Sequence, residues 1–262
     1  MRPLGHVLSL PLSSVKSSNL HWIRPDSLLE EAAVLMIYRR ARHLPVGSGG
    51  AAEAILSIRD IGRVMLERGE AWRAVRVIDA ATSPPISLGA SSSVADAVRQ
   101  MASRYVGSVL VEDGGLTTGI VTEKDLVRLA SDVDVRSRVY EAMTLDPRVA
   151  EPDTAVRDAL RTMISGSFRH LPITSGGRTV GITSMRDLVY MITEGRLSLG
   201  DPVRPAVTHD PVTIDPLATA SEAARTMSSK DVGSLLVVDA GRLVGILTER
   251  DIVLHVLAKF VS

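Results

Sequence analysis

The stretch Gly245-Ile246-Leu247-Thr248-Glu249-Arg250-Asp251 decides the fold, because its pattern occurs four times in the chain. A short apolar run leads to a hydroxyl residue, and an aspartate follows three positions later. The other copies run from Ala54 to Asp60, from Gly119 to Asp125 and from Gly181 to Asp187. Successive aspartates are 62 to 65 residues apart, so the chain is built from internal repeats.

Each copy of this motif has the same local chemistry. The apolar run before the hydroxyl predicts a buried strand, and the apolar residues after the aspartate, such as Ile252 to Leu254, predict the buried face of a helix. The hydroxyl residue then caps the helix, where unpaired N–H groups and the helix dipole favour an anion such as phosphate. The aspartate at the third helical position offers acceptor oxygens that suit a ribose diol. A capping box with no ligand explains the same pattern.

The composition excludes several classes of function. The chain has 262 residues, of which 45% are hydrophobic and 3% aromatic, so its core is aliphatic. Thirty basic residues balance thirty acidic ones, and this zero net charge argues against nucleic acid as a partner. The absence of cysteine excludes disulfides and thiolate chemistry. The apolar runs are too short to cross a membrane and the N-terminus does not resemble an export signal, which predicts a cytoplasmic protein.

The repeats occupy almost the whole chain, and each has the predicted order strand, helix, strand, strand, helix. This order predicts an α/β (α+β) fold. The expected boundaries are an N-terminal arm at 1–19, repeats at 20–70, 71–130, 143–195 and 205–262, and a linker at 131–142. No residues remain for a catalytic domain, and the repeats supply neither an activated nucleophile nor a His–carboxylate dyad, so we expect no enzyme.

A second period indicates that the repeats were duplicated as pairs. Arg42 to Val46 in the first repeat matches Arg169 to Ile173 in the third, whereas Val106 to Val111 in the second matches Val232 to Val237 in the fourth. One repeat is too small to bury a core alone, so two should pack face to face about a pseudo-twofold axis. We expect the pairs to be residues 1–135 and 136–262.

A third shared element, the lead-in, precedes the first strand of each repeat. It has the form Thr-x-x-Pro from Thr82, Thr144 and Thr208, and Ser17 to Leu20 takes its place in the first repeat. This segment should fix an irregular backbone beside the sheet edge, where main-chain N–H and C=O groups could read a base. A plain connection into the strand is the alternative.

Together these elements resemble the cystathionine β-synthase (CBS) domain, whose units pair into Bateman modules. The resemblance covers residues 20 to 259. Four such units in one chain are similar in layout to the γ regulatory subunit of AMP-activated protein kinase and to stand-alone archaeal and bacterial proteins. The resemblance implies adenosine ligands in the clefts between paired units. Because duplication leaves each pair with the same helical face to bury, we also expect the two pairs to lie side by side in a disc, completed within one chain or by self-association.

Carried over position by position, the resemblance implies a set of nucleotide-binding residues. The aspartates would hold ribose: Asp60, Asp125, Asp187 and Asp251. The cap hydroxyls and nearby basic side chains would hold phosphate: Ser57, Thr122, Ser184, Thr248, Arg42, His43, Arg169, His170, Lys124, Arg186 and Arg250. The lead-in threonines would lie near adenine: Thr82, Thr144 and Thr208. Ala54 and Leu20 depart from the pattern, which predicts that the first repeat has the weakest site. The histidines are scattered, which predicts no metal.

Two classes of function remain open. The first is a regulatory energy sensor that binds AMP, ADP or ATP, needs no cofactor and acts on an unidentified protein partner. Because these nucleotides differ in phosphate charge, a fixed set of basic side chains could tell them apart. The alternative is a scaffold or subunit whose clefts bind S-adenosylmethionine or nucleic acid, or stay empty.

Overall fold

The computed structural model describes residues 2 to 261 of the chain. The strands are β1 (His43–Val46), β2 (Ala54–Ser57), β3 (Ser87–Gly89), β4 (Ser108–Asp113), β5 (Leu116–Thr122), β6 (Thr144–Leu145), β7 (His170–Ser175), β8 (Arg178–Ser184), β9 (Thr213–Ile214), β10 (Ser234–Asp239) and β11 (Arg242–Thr248). The α-helices are α1 (Leu4–Leu8), α2 (Leu29–Tyr38), α3 (Ile58–Arg68), α4 (Val77–Ala80), α5 (Val94–Arg104), α6 (Glu123–Ser131), α7 (Val156–Ser165), α8 (Met185–Thr193), α9 (Ala220–Lys230) and α10 (Glu249–Asp251).

Each repeat contains an antiparallel hairpin whose second strand runs directly into a helix. The register places the first residue of one strand opposite the motif hydroxyl on the other: His43 with Ser57, Ser108 with Thr122, His170 with Ser184 and Ser234 with Thr248. The helix begins at the next residue because the hydroxyl caps it. The mixed α/β fold with four repeats is therefore confirmed.

The chain forms two compact units that combine alternate repeats. The odd unit comprises Leu20–Pro85 and Arg148–Asp210, which hold repeats one and three. The even unit comprises Met1–Asn19, Ile86–Pro147 and Pro211–Ser262, which hold repeats two and four. The chain passes from one unit to the other at each lead-in. The predicted pairs, residues 1–135 and 136–262, group the repeats differently, because they join repeat one with two and repeat three with four. That pairing stays a prediction.

Each unit has its own aliphatic core. In the odd unit, α3 packs against α7 and α8, and Leu56, Leu160 and Leu188 are fully buried there. In the even unit, α6 packs against α9, and the core includes Leu126 and Met227. Gly62 of α3 faces Met185 and Leu160 at ordinary van der Waals distance. Helix packing of this kind buries the apolar face that a single repeat would leave exposed.

The segments outside the repeats are more ordered than their sequence suggests. The N-terminal arm contains α1 and a 3₁₀ turn (Leu12–Ser14), and its Val7, Leu12 and Val15 are buried in the even core. The linker at 131–142 also contributes buried valines to that core, among them Val133. The predicted final helix starts as α10 but continues as a π turn (Ile252–Val256) and a 3₁₀ turn (Leu257–Phe260). Within the described residues, no helix is both long and apolar enough to cross a membrane.

Candidate functional site

The motif forms a complete capping box in every repeat. In the fourth repeat, Oδ2 of Asp251 accepts from the Thr248 amide and from its hydroxyl, both at 2.7 Å. The same pair of bonds, at 2.6 to 2.9 Å, occurs in the other three repeats. The hydroxyl accepts in turn from the aspartate amide at 3.3 to 3.4 Å. The cap therefore uses one carboxylate oxygen, Oδ2, and leaves Oδ1 outside the box.

The protein itself satisfies much of the N-terminal turn of these helices. The first helical amide donates to the carbonyl of the residue just before the hairpin, at 2.9 to 3.1 Å in all four repeats. The third amide donates to the cap hydroxyl, which is committed as a donor to the carboxylate. An anion at this turn would depend on nearby cationic side chains more than on the backbone.

A capping box alone does not mark a site in this protein. The first helices of repeats two and four are capped in the same way, by Ser93 with Asp96 and by Thr219 with Glu222. Within the described residues, neither of these boxes is bonded to a lead-in. What separates the four candidate sites from them is the lead-in beside the strand.

The lead-ins are exchanged between repeats that follow one another. Ser17 of the first repeat exchanges two backbone hydrogen bonds with Ile120 of the second, at 2.9 and 3.0 Å. Thr82, the lead-in of the second repeat, does the same with Ile55 of the first, at 2.9 and 3.0 Å. The third and fourth repeats repeat this exchange, since Thr144 pairs with Ile246, and Thr208 with Ile182. Each candidate site thus combines the motif of one repeat with the lead-in of its neighbour.

The backbone of two lead-ins is irregular, as expected from Thr-x-x-Pro. Asp146 and Asp210 adopt left-handed φ values of 44° and 54°, a conformation that aspartate tolerates better than most residues. Both precede a proline and stand two positions after the lead-in threonine. The chain therefore turns away from the sheet edge at the same point in both sites.

The glycine of the motif is required by the approach of the lead-in. A Cβ on Gly181 would lie 2.5 Å from the Thr208 carbonyl oxygen and in contact with the Val207 side chain. Gly119 and Gly245 are crowded in the same way, by Lys16 and Met143, which precede their lead-ins.

The first repeat avoids the same steric crowding with a different pair of residues. It has Ala54 in place of the glycine, and the residue that precedes the lead-in beside it is Ala81, where the other sites have Val207, Met143 or Lys16. This smaller residue leaves room for the extra methyl group. The lead-in that departs from the pattern, Ser17 to Leu20, begins beside β5 and so belongs with Thr122 and Asp125. Both observations weaken the prediction that the first repeat has the weakest site, which was based on Ala54 and Leu20.

The basic residues predicted to hold phosphate fall into two different settings. In the odd unit, the Arg42 and Arg169 carbonyls accept from the first amides of α3 and α8, and His43 and His170 face the cap serines across the hairpins. These residues are partly buried. The structure therefore brings each Arg-His pair to the Ser/Asp motif of its own repeat.

In the even unit, the basic residues make ion pairs between repeats two and four. Arg250 Nε lies 2.8 Å from Glu123 Oε1, with side-chain exposures of 12% and 2%, and its guanidinium lies 4.8 Å from the Tyr105 ring centroid. Lys124 pairs with Asp231 at 2.5 Å, and both of these side chains are more than half exposed. The buried Glu123 and its counterpart Glu249 were not singled out from the sequence, where they stand inside the motif as ordinary first-turn acids.

Burial sets the electrostatics of Asp251. Burial raises the pKa of this carboxyl above its ordinary value, bonds from Thr248 oppose the shift, and the charge of Glu123 adds to it. The other oxygen of Asp251 lies 3.9 Å from His255 Nε2. In the second repeat, Oδ1 of Asp125 lies 3.7 Å from Arg128.

A crevice of about 100 Å³ opens between α6 and α9, lined in part by Lys124, Asp125 and Glu249. Nucleotide-sized ligands occupy pockets of roughly 300 Å³ or more, so this crevice alone does not hold one. Among residues 2 to 261, no group of three or more histidine and carboxylate side chains has the geometry of a metal site.

Comparison with known proteins places the repeats in one family. The CBS domain matches residues 12–67, 77–132, 139–194 and 203–258. Protein MJ1225 of Methanocaldococcus jannaschii is 25% identical over 259 residues, covering 88% of this chain and 92% of the relative. A 17.7 kDa protein of Acidianus ambivalens is 39% identical over 123 residues, covering 46% of this chain and 75% of its own.

The solved structures agree on the fold. The crystal structure of MJ1225, described as a candidate archaeal homologue of γ-AMPK, has a TM-score of 0.84 at 23% identity and covers 97% of this chain and 100% of its own. A Pyrococcus horikoshii protein has a TM-score of 0.66 at 19% identity, with the same coverage. The chain belongs to the CBS domain family and carries four copies of that domain.

Proposed function

We propose that this chain is a regulatory module that binds adenine nucleotides and transmits their occupancy to a protein partner. CBS domain pairs typically bind adenosine-containing ligands and are generally regulatory, not catalytic. The observation that carries the proposal is the exchange of lead-ins, since it sets a lead-in segment beside an aspartate and a cap hydroxyl in all four repeats.

The parts of each site have distinct roles in this proposal. The aspartate keeps Oδ2 for the cap and uses Oδ1 to accept from a ribose hydroxyl, a charge-assisted bond of about 1.5–3 kcal/mol. The lead-in residues after the threonine read adenine through their main-chain groups, because the threonine's own N–H and C=O are paired with the strand. Basic side chains near the cap neutralise phosphate. No cofactor takes part.

A ligand panel tests the proposal directly. Thermal denaturation and calorimetric titration of the full chain with AMP, ADP, ATP and S-adenosylmethionine should show micromolar binding of at least one adenine nucleotide, or roughly −8 kcal/mol. At 100 times the dissociation constant, such a ligand stabilises the folded state by about 2.7 kcal/mol. If no compound in the panel moves the melting temperature at millimolar concentration, the scaffold hypothesis replaces the sensor.

Variants of the aspartates tie binding to the sites. Asp251→Ala and Asp187→Ala should each reduce the affinity of one site by about tenfold or more, because a ribose contact is lost. Asp96→Ala is the matched control, since it breaks a capping box of the same form that has no lead-in beside it. Equal loss of binding in all three variants would mean that the aspartates act through helix stability alone. Light scattering with and without ligand reports self-association.

A further inference from the structure

The four candidate sites can be compared residue by residue because their backbones correspond. In each repeat, the first amide of the motif helix donates to the residue that precedes the hairpin: Ile58 to Arg42, Glu123 to Gly107, Met185 to Arg169 and Glu249 to Gly233. The next residue of the hairpin faces the cap hydroxyl, and the next residue of the helix is basic in every repeat. Charge differences at these positions are therefore differences between equivalent places.

The two units carry opposite charge at these places. In each odd repeat, two arginines and a histidine accompany one aspartate: Arg42, His43, Arg59 and Asp60, or Arg169, His170, Arg186 and Asp187. In each even repeat, a single basic residue accompanies two acidic ones: Lys124 with Glu123 and Asp125, or Arg250 with Glu249 and Asp251. Summed over these equivalent positions, with histidine neutral, each odd repeat has a net charge of +1 and each even repeat a net charge of −1.

The acids of the even unit cannot be moved aside cheaply. Glu123 and Glu249 are 2% and 4% exposed, and the guanidinium of Arg250 is held between Glu123 and the Tyr105 ring. A phosphate that recruited Arg250 would separate a buried ion pair and leave Glu123 in a low-dielectric setting without this base. The raised pKa of Asp251, caused mainly by burial and increased by Glu123, reports the same unfavourable field for a further anion.

We infer that the two units divide adenosine ligands by charge. The sites of repeats one and three take a ligand with an ionised phosphate, and the sites of repeats two and four take an adenosine compound whose 5′ substituent is neutral or cationic. Glu123 and Glu249 act as specificity-determining residues, because their charges repel phosphate, and Glu123 also holds Arg250 in an ion pair. This inference rests on the proposed adenosine-binding function.

Two sets of charge changes test the division, with AMP, adenosine and S-adenosylmethionine as probes in calorimetric titrations of the full chain. The double variant Arg42→Gly with Arg169→Gly gives the odd unit the residue found in the even one. It should weaken AMP binding by about tenfold or more and leave adenosine within twofold, since only phosphate loses a charged partner. The double variant Glu123→Gln with Glu249→Gln keeps hydrogen-bonding capacity and should add AMP-binding sites or tighten AMP by a similar factor.

Asp132→Asn is the matched control for the glutamate changes. It removes one carboxylate from the exposed C-terminal end of α6, about 13 Å along the helix from Glu123. Its AMP affinity should equal that of the parent. The inference is overturned if the arginine changes leave the AMP affinity unchanged, or if the AMP affinity of Glu123→Gln with Glu249→Gln equals that of the control. A parent chain that binds none of AMP, ADP, ATP, adenosine and S-adenosylmethionine overturns the proposed function as well, whereas one that binds AMP and adenosine with no response to the charge changes overturns the division alone.

Discussion

The contact between Gly181 and the fourth lead-in makes a quantitative prediction. In Gly181→Ala, the new methyl group would lie 2.5 Å from the Thr208 carbonyl oxygen, well inside van der Waals contact, so the lead-in must move. The φ angle of Gly181 is not positive, so the cost comes from contact and not from backbone strain. Overpacking of this kind costs about 1–3 kcal/mol, and two backbone bonds of 2.8 and 3.0 Å to Ile182 would weaken.

We expect a net loss of about 2 kcal/mol in the free energy of unfolding, or a fall of about 4–8 °C in the melting temperature. Gly5→Ala is the control, because a Cβ there meets nothing within 4 Å. Urea denaturation of both variants, followed by circular dichroism, measures the free energy of unfolding, and thermal denaturation measures the melting temperature. The site formed by Ser184 and Asp187 should lose nucleotide affinity in parallel, since its lead-in is displaced.

A second substitution tests the cause. Val207→Ala reproduces the small residue that Ala81 supplies beside Ala54, and alone it should cost about 1 kcal/mol of burial. If crowding is the cause, the double variant Gly181→Ala with Val207→Ala should be more stable than the sum of the single effects by about 1 kcal/mol or more. Strict additivity, or a Gly181→Ala chain within about 0.5 kcal/mol of the parent, would refute the account of the motif glycine.

Four further changes probe the cores and the charges. Thr183→Val should stabilise the chain by about 1 kcal/mol in thermal denaturation, because the buried hydroxyl of Thr183 has no hydrogen-bond partner among the described residues. Arg250→Met should lower the free energy of unfolding by roughly 3 kcal/mol, and adding Glu123→Met should recover much of this loss, since the buried carboxylate that has lost Arg250 is removed. Asp251→Asn should stabilise most at pH 7, with a gain that shrinks as the pH falls from the raised folded pKa towards about 3.8, because only the ionised form is penalised by burial. Asp96→Asn should show the opposite sign at pH 7, since bonds from Ser93 and then Arg99 lower the pKa of Asp96, and its contribution should be lost only below about 3.8.

Most of the fold could be predicted from the sequence, because strand and helix patterns are local. The helices Ile58–Arg68 and Met185–Thr193 begin and end where the apolar spacing indicates. The first strand expected in each repeat is reduced in repeats one and three to single bridges, Ile23 with Val46 and Ala150 with Ile173. The order in the arm at 1–19 comes from long-range burial of a few apolar residues, which periodicity does not report.

The site was less predictable, because its parts are far apart in the sequence. The aspartates and cap hydroxyls were found from spacing, and the structure shows each cap formed. Which lead-in joins which motif depends on pairing over 26 to 103 residues, as in Ile182 with Thr208 and Ser17 with Ile120. The role of Glu123 depends on its burial against Arg250 from another repeat, and no local pattern separates a buried first-turn glutamate from an exposed one.

The exchange of lead-ins also constrains how such a chain can evolve. A repeat copied alone would bring a lead-in with no strand to receive it and a strand with no lead-in, since each segment completes its neighbour. Both would expose main-chain groups that are paired in the present structure, a cost that grows with every unmatched copy. Gene duplication or deletion should therefore be tolerated in steps of two repeats, and sequence drift in one lead-in should be answered by changes in the neighbouring repeat's motif, as alanine at 81 accompanies alanine at 54.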